Sequence, residues 1–133
     1  MRHFVLAAFL LVLLITCSGP NEPAVCGRNS RVTITLSGDR TRPTIHWTPD
    51  CGVEALYVAG DTTELVPGGW SITSDGPAFF PPVRYGVVPA GTTERAPAVP
   101  LQPGLPYVVV VKVRWADEDF YYWGEVGMLH FRP

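Results

Sequence analysis

The sequence predicts an all-β protein, a β-sandwich of about seven strands that follows an N-terminal signal peptide. After the apolar start of the chain no helical period of useful length occurs, and alternation of apolar and polar residues dominates. The 14 Pro and 13 Gly are spread between apolar runs, where they act as turn signals. Strand-like runs about ten residues apart, with turns between them, are typical of two antiparallel sheets packed face to face.

The chain begins with a short basic segment and an uncharged apolar run from Phe4 to Ile15. A helix of this length spans about 18 Å, which is too short for a bilayer core of about 30 Å. A basic start, a short apolar stretch and small residues after it are typical of an export signal. We therefore assign residues 1–16 to a signal peptide.

The end of this segment, residues 14–17 (LITC), resembles the lipobox of bacterial lipoproteins. The resemblance implies that Cys17 is diacylated and anchors the protein in a membrane of the cell envelope. Ser18 would permit sorting to the periplasmic side of the outer membrane in a Gram-negative cell. An ordinary secretory signal, cut after Ser18, remains the alternative and would give a secreted protein. Residues 17–30 are then the lipidated cysteine and a short polar tether.

The cysteine count agrees with an exported protein. Three cysteines are present, and Cys17 is either lipidated or removed with the signal. Cys26 and Cys51 remain as a pair, which in an oxidising compartment indicates a disulfide. The formal net charge is −2 and the basic residues are scattered, which argues against a nucleic-acid partner.

Three strands are predicted in the first half of the domain. Residues 31–36 alternate and place their apolar side chains on one face. Residues 43–47 form a second strand, with Trp47 pointing inward. Residues 53–59 carry apolar side chains on both faces, with Tyr57 on one and Leu56 and Val58 on the other, so this strand should be central in its sheet.

The second half of the domain contains a region with few signals and a strong hairpin. Within the less regular part, residues 70–73 can add a strand, residues 83–88 suit a strand near an edge, and residues 93–101 a short strand weakened by proline. Residues 107–115 give the clearest alternation, and residues 120–131 return as their hairpin partner after a polar turn.

Two stretches resemble fibronectin type III domains, which are immunoglobulin-like sandwiches. The pattern P-x-I-x-W-x-P at residues 43–49 is similar to the second strand of that family. The pattern L-x-P-G-x-x-Y-x-V-x-V at residues 101–111 resembles its tyrosine corner and sixth strand. The resemblance covers residues 31–133 and implies a fibronectin type III-like domain there.

The resemblance also implies three structural core residues. Trp47 corresponds to the central tryptophan, and Tyr57 to a core aromatic of the third strand. Tyr107 corresponds to the corner tyrosine, whose hydroxyl bonds to upstream backbone and so satisfies a buried polar group. Such sandwiches serve many roles, so the fold alone indicates no function.

The turn of the hairpin carries a compact acidic group, Asp117, Glu118 and Asp119. It lacks the glycine and the distant bidentate acid of a calcium loop, so a solvated turn is favoured over a cation site. The equivalent loop carries recognition sites in some fibronectin modules, and a partner contact is therefore the better functional interpretation.

Four consecutive aromatic residues follow this turn. Alternation sends Phe120 and Tyr122 to one face and Tyr121 and Trp123 to the other, and only one face is expected to enter the core. Aromatic residues on the outer face, near Trp115 or Trp70, could stack on sugars or anchor a partner. Cross-strand packing that stabilises the hairpin is the simpler explanation. The candidate binding residues are Trp70, Asp117, Glu118, Asp119, Tyr121 and Trp123.

No catalytic residue, metal site or cofactor is predicted. The chain has no G-x-S-x-G elbow, no glycine-rich phosphate loop and no H-E-x-x-H motif. His46 and His130 are isolated outward residues without a second ligand at metal-binding spacing. We expect a lipid-anchored envelope protein whose non-catalytic domain binds a protein or glycan. The alternatives are a structural subunit that docks through an exposed strand and a secreted carbohydrate-binding accessory domain.

Overall fold

The computed structural model describes residues 24–61 and 68–133 of the chain. The regular structure of these residues consists of strands, and none of them is in a helix. The predicted signal peptide, Cys17 and residues 18–23 of the tether lie outside these ranges. The all-β prediction is confirmed, with eight strands in two antiparallel sheets. The strands are β1 Thr33–Ser37, β2 Thr44–Thr48, β3 Ala55–Gly60, β4 Gly69–Thr73, β5 Val83–Arg84, β6 Thr93–Val99, β7 Tyr107–Asp117 and β8 Phe120–Phe131.

The two sheets differ in size. The smaller has the order β1-β2-β5, and the larger has the order β6-β4-β3-β7-β8. β3 lies between β4 and β7, which agrees with the central position predicted from its apolar faces. β5 is only two residues long, shorter than the predicted 83–88, and pairs at the edge of the small sheet. All pairings between named strands are antiparallel, so the architecture is that of a β-sandwich.

The core lies between the sheets and is centred on Trp47. This side chain is 2% exposed, and its indole Nε1 donates a hydrogen bond to the Cys51 carbonyl at 2.8 Å. The ring meets Phe79 edge to face, with centroids 6.5 Å apart. Alternate residues of β7 complete the core from the larger sheet, as the sequence predicts for the face that begins at Tyr107.

Tyr107 forms a corner where the loop from β6 leads into β7, another strand of the larger sheet. Its ring is fully buried, and its hydroxyl oxygen accepts a hydrogen bond from the backbone N–H of Gln102 at 3.1 Å. This is the return contact to upstream backbone that the P-G-x-x-Y spacing predicts. The contact fixes the loop before β7 against the side chain that begins β7.

A second tyrosine, which belongs to no motif of the sequence, links the two sheets. Tyr85 follows β5 of the small sheet, and its hydroxyl lies 2.7 Å from the carbonyl oxygens of both Gly69 and Val99 in the large sheet. Its ring meets Trp70 edge to face at 5.5 Å. Burial raises the pKa of Tyr85 above its ordinary value.

A disulfide joins Cys26 to Cys51, as predicted from the cysteine count. Beside it, Val25 forms a parallel bridge with Gly52. The bond therefore ties the segment before β1 to the connection between β2 and β3. These contacts hold the first described residues at the end of the sandwich where β3 begins.

Tyr57 departs from the prediction that it is a core residue. It is half-buried on the outer face of the large sheet, opposite the buried Leu56 and Val58. The Lys112 ammonium lies 5.2 Å from its ring centroid. The sandwich packs only one face of this sheet against the small sheet, so a side chain on the other face stays outside the core even in a central strand.

Candidate binding surface

The β7–β8 hairpin extends past its neighbour in the sheet. Pairing of β3 with β7 ends at Ala55 and Lys112, whereas pairing of β7 with β8 continues to Asp117 and Phe120. Residues 113–124 therefore form a two-stranded ribbon, which we call the aromatic hairpin; its first residue, Val113, is still buried in the core. A two-stranded ribbon has little core of its own, so contacts within it must hold its side chains.

The aromatic residues of this hairpin are exposed on both faces. Phe120 and Tyr121 are 67% and 75% exposed, and Tyr122 and Trp123 are 44% and 42% exposed. The expectation that one face would enter the core is wrong for these four residues. The side chains do alternate between two faces, as predicted. These residues lie beyond the end of β3, however, where β7 and β8 pair only with each other.

One face of the hairpin holds a stacked pair. Trp115 and Tyr122 are cross-strand partners with ring centroids 6.1 Å apart and planes inclined by 23°. The Arg28 guanidinium lies 5.9 Å from the Trp115 ring centroid. A Cβ atom on Gly124 would overlap the Trp115 ring, so only glycine leaves room for the indole in this position. This stack involves Trp115 and Tyr122, whereas Phe120, on the same face, remains exposed.

The other face is organised around Arg114. Its guanidinium carbon lies 5.5 Å from the ring centroid of Tyr121 and 5.9 Å from that of Trp123. Glu54 accepts a hydrogen bond from the Arg114 backbone N–H at 2.7 Å and forms an ion pair with its guanidinium at 3.7 Å. The two exposed rings therefore share one cation, which is itself held by a carboxylate next to β3.

The acidic turn lies at the apex of the hairpin. Asp117, Glu118 and Asp119 are all exposed, and Asp117 Oδ1 accepts the backbone N–H of Glu118 at 2.9 Å. No ion pair within residues 24–61 and 68–133 involves these three carboxylates. The turn thus presents uncompensated negative charge beside exposed aromatic rings.

Trp70 does not belong to this surface, and its prediction as a binding residue needs correction. The side chain is 1% exposed, and its Nε1 donates a hydrogen bond to Glu94 Oε1 at 2.8 Å. β4 is an interior strand of the large sheet, between β3 and β6, and it turns Trp70 inward. The remaining candidates, Asp117, Glu118, Asp119, Tyr121 and Trp123, are brought together on the aromatic hairpin.

The residues that support this surface carry little signal in the sequence. Arg28 and Glu54 are distant in sequence from the turn, and nothing in their spacing marks them as neighbours of the hairpin. Gly124 could have been recognised, because a glycine inside a strand often marks close approach of another group. The cation–π contacts of Arg114 with Tyr121 and Trp123 depend on the register of the hairpin.

Other concave regions offer less chemistry. A groove of about 360 Å³ on the outer face of the large sheet lies beside Tyr57, over small residues such as Gly69, Ser71 and Ala96. His130 pairs with Asp61 at another shallow depression. Among the residues that the structure describes, no group of three His, Cys, Asp or Glu side chains is placed to hold a metal ion.

No protein-family model matches this chain, and neither the curated proteins nor the solved structures include a significant match. Within the described ranges no helix has the length and apolar character needed to cross a membrane. Function is therefore inferred from the chemistry of the aromatic hairpin.

Proposed function

We propose that this protein is a non-catalytic binding domain, immunoglobulin-like and similar to fibronectin type III, held at a bacterial cell envelope by a lipid on Cys17. It contacts another protein through the aromatic hairpin. The observation that carries the proposal is the exposure of four consecutive aromatic side chains, from 42% to 75%, on a projection beyond the sandwich. Contiguous exposed apolar surface is typical of interaction sites.

Stability of the fold explains only part of this arrangement. Cross-strand aromatic pairs contribute about 0.2–1 kcal/mol, and the stack of Trp115 on Tyr122 is such a pair. Tyr121 lies on the opposite face. Arg114 contacts its ring, but Tyr121 is still 75% exposed. Tyrosine, tryptophan and arginine are the residues most enriched at the energetic centres of protein interfaces. The outer face therefore supports recognition more than packing.

The envelope location draws on separate observations. Residues 14–17 resemble the lipobox, with Thr16 bulkier than the usual small residue before the cysteine, and the Cys26–Cys51 disulfide suits an oxidising compartment outside the cytoplasm. Intact mass of the mature protein tests the anchor. An N-terminal Cys17 carrying acyl chains is expected, whereas a bare Gly19 would favour the secreted alternative.

Site-specific photo-crosslinking in intact cells tests the contact surface. A photoreactive residue at Tyr121 should give an adduct with a defined protein. The matched control is Val87, which is 54% exposed and follows β5, away from the hairpin. Adducts at Val87 of the same kind and yield, or none at Tyr121, would contradict the proposal.

Glycan binding is the second candidate, favoured by the exposed rings of Tyr121 and Trp123 on one face of the hairpin. Aromatic faces of this kind can stack on sugar rings. A glycan array distinguishes the two, because a sugar-binding domain should give saccharide signals that are lost on Trp123→Ala. Crosslinking to a protein without any saccharide signal would favour the first candidate.

A further inference from the structure

We propose that the segment bound by the aromatic hairpin is cationic, a stretch of a partner protein that bears exposed lysine or arginine side chains. The inference rests on the proposed function and specifies the chemistry of its partner. It comes from the charges and the ring contacts of the same hairpin.

The charge of the hairpin apex is negative and unpaired. Asp117, Glu118 and Asp119 follow one another in the turn, and all three are exposed. Within the described ranges none of these three carboxylates forms an ion pair. The nearby Arg114 is already paired with Glu54, so it does not neutralise them. A partner with positive charge would compensate this surface, and a like charge would be repelled.

The rings of the hairpin already bind cations from within the chain. Arg114 lies over Tyr121 and Trp123, and Arg28 lies over Trp115. These contacts show that the ring faces are placed where a guanidinium can approach them. Because Tyr121 is 75% exposed, further ring surface remains open to a cation from outside. Aromatic faces next to free carboxylates form a surface suited to lysine and arginine.

A lipid bilayer suits this surface less well, although tyrosine and tryptophan are common at membrane interfaces. The acidic turn is at the apex and would reach the headgroups before Tyr121 and Trp123. Bacterial anionic lipids would repel it, because negative surface potential attracts basic segments and disfavours acidic ones. The charge of the apex therefore favours a cationic protein segment.

Peptide binding to the full mature protein tests the partner chemistry. The probes are fluorescent hexa-arginine and hexa-lysine peptides, with hexa-glutamate as the charge-reversed control. Both cationic peptides should bind, with an affinity that falls about tenfold or more between low and high salt because exposed charges are screened. Equal binding of hexa-glutamate would overturn the proposal.

Two variants assign the binding to the hairpin. Glu118→Gln should weaken the cationic peptides several-fold at low salt, whereas Tyr121→Ser should weaken them at high salt also, since the ring contact is not removed by screening. Asp39→Asn is the matched control, an exposed carboxylate in the turn between β1 and β2. Peptide affinity unchanged in both hairpin variants would overturn the assignment.

A bilayer is tested in the same preparation. The protein is placed in vesicles that contain brominated phosphatidylcholine, and Trp123 emission is isolated by comparison with Trp123→Phe. Quenching of that emission would overturn the inference in favour of lipid contact. If Tyr121 crosslinks to a protein but the cationic peptides do not bind, only the partner chemistry is wrong. If neither occurs, the proposed function itself fails.

Discussion

Glu54 and Arg114 connect the sandwich to the aromatic hairpin. One carboxylate oxygen of Glu54 accepts the Arg114 backbone N–H at 2.7 Å, and the other lies 3.7 Å from the Arg114 guanidinium. Glu54 immediately precedes β3. Its carboxylate therefore accepts a backbone N–H of β7 at a position beyond the last residue pair between β3 and β7. The same arginine lies over Tyr121 and Trp123. The Glu54 carboxylate thus binds both the backbone and the side chain of Arg114, and that side chain contacts the exposed rings.

Replacement of Glu54 should therefore act on stability and on the hairpin together. Glu54→Ala removes the acceptor of the Arg114 N–H and should lower the free energy of unfolding by about 1–3 kcal/mol. Glu54→Gln keeps an acceptor oxygen and should cost less. Urea unfolding measures both. Equal losses for the two variants would mean that charge, and not the backbone hydrogen bond, is the main contribution.

Trp47→Ala should destabilise the domain strongly. The side chain is 2% exposed, and its removal leaves a cavity against Phe79, which corresponds to about 3–5 kcal/mol. Trp123→Ala is the matched control, since Trp123 is 42% exposed and a surface substitution usually changes stability by about 0.5 kcal/mol or less. Chemical denaturation of the two proteins compares them. A similar midpoint for both would contradict the position of Trp47 in the core.

Tyr107→Phe tests the corner hydrogen bond. The variant keeps the buried ring and removes the hydroxyl that accepts the Gln102 N–H, so we expect a loss of about 1–3 kcal/mol. Tyr121→Phe, at an exposed tyrosine, should unfold like the parent protein. Thermal unfolding followed by circular dichroism gives the comparison. A Tyr107→Phe protein that melts with the parent would show that the hydroxyl contributes nothing.

The Cys26–Cys51 disulfide should account for a sizeable part of the stability. It closes a loop with a sequence separation of 25, and the chain-entropy model gives about 3–4 kcal/mol for a loop of that length. The double variant Cys26→Ser/Cys51→Ser should lose this amount in urea unfolding. Addition of a reductant should lower the midpoint of the parent and leave the double variant unchanged. A reductant effect on both would indicate another cause.

The stability of the protein should also depend on Tyr85 at alkaline pH. Burial raises the pKa of Tyr85 above its ordinary value of 10.0, so the unfolded chain releases this proton at a lower pH than the folded one. The contribution of the protonated Tyr85 to the free energy of unfolding is complete below pH 10. It decreases as the pH rises from there through the pKa of Tyr85 in the folded protein. Tyr85→Phe should flatten this part of the stability profile. An unchanged alkaline slope would contradict the assignment.

The sequence predicted the strands well where one face is buried. β1, β2 and β7 each combine clean alternation with a core face, because period 2 and burial act on the same residues. The Cys26–Cys51 pair and the Tyr107 corner were also predictable, since each depends on residue types and short spacings. The position of Trp70 was not, because a tryptophan in an isolated short strand has no pattern that shows which face is buried.

The candidate surface was predictable in its residues and not in its geometry. The run from Phe120 to Trp123 and its alternation could be read from the sequence, but its exposure depends on where β3 ends. The point at which β3 ends beside the hairpin depends on tertiary structure, and the local sequence of the hairpin does not indicate it. Likewise, the contacts of Arg28 and Glu54 with the hairpin join residues that lie far apart in the chain. Local pattern carries no signal for such pairs.

The bridge of Val25 to Gly52 and the adjoining disulfide fix the place where the polypeptide joins the sandwich. Arg28, three residues after Val25, lies over Trp115, so the polypeptide joins the sandwich on the side where the hairpin projects. A molecule held by the residues before this point would turn its aromatic rings back toward the surface that holds it. A binding partner embedded in that surface would be met directly, whereas one in free solution would have to enter the space beneath the domain.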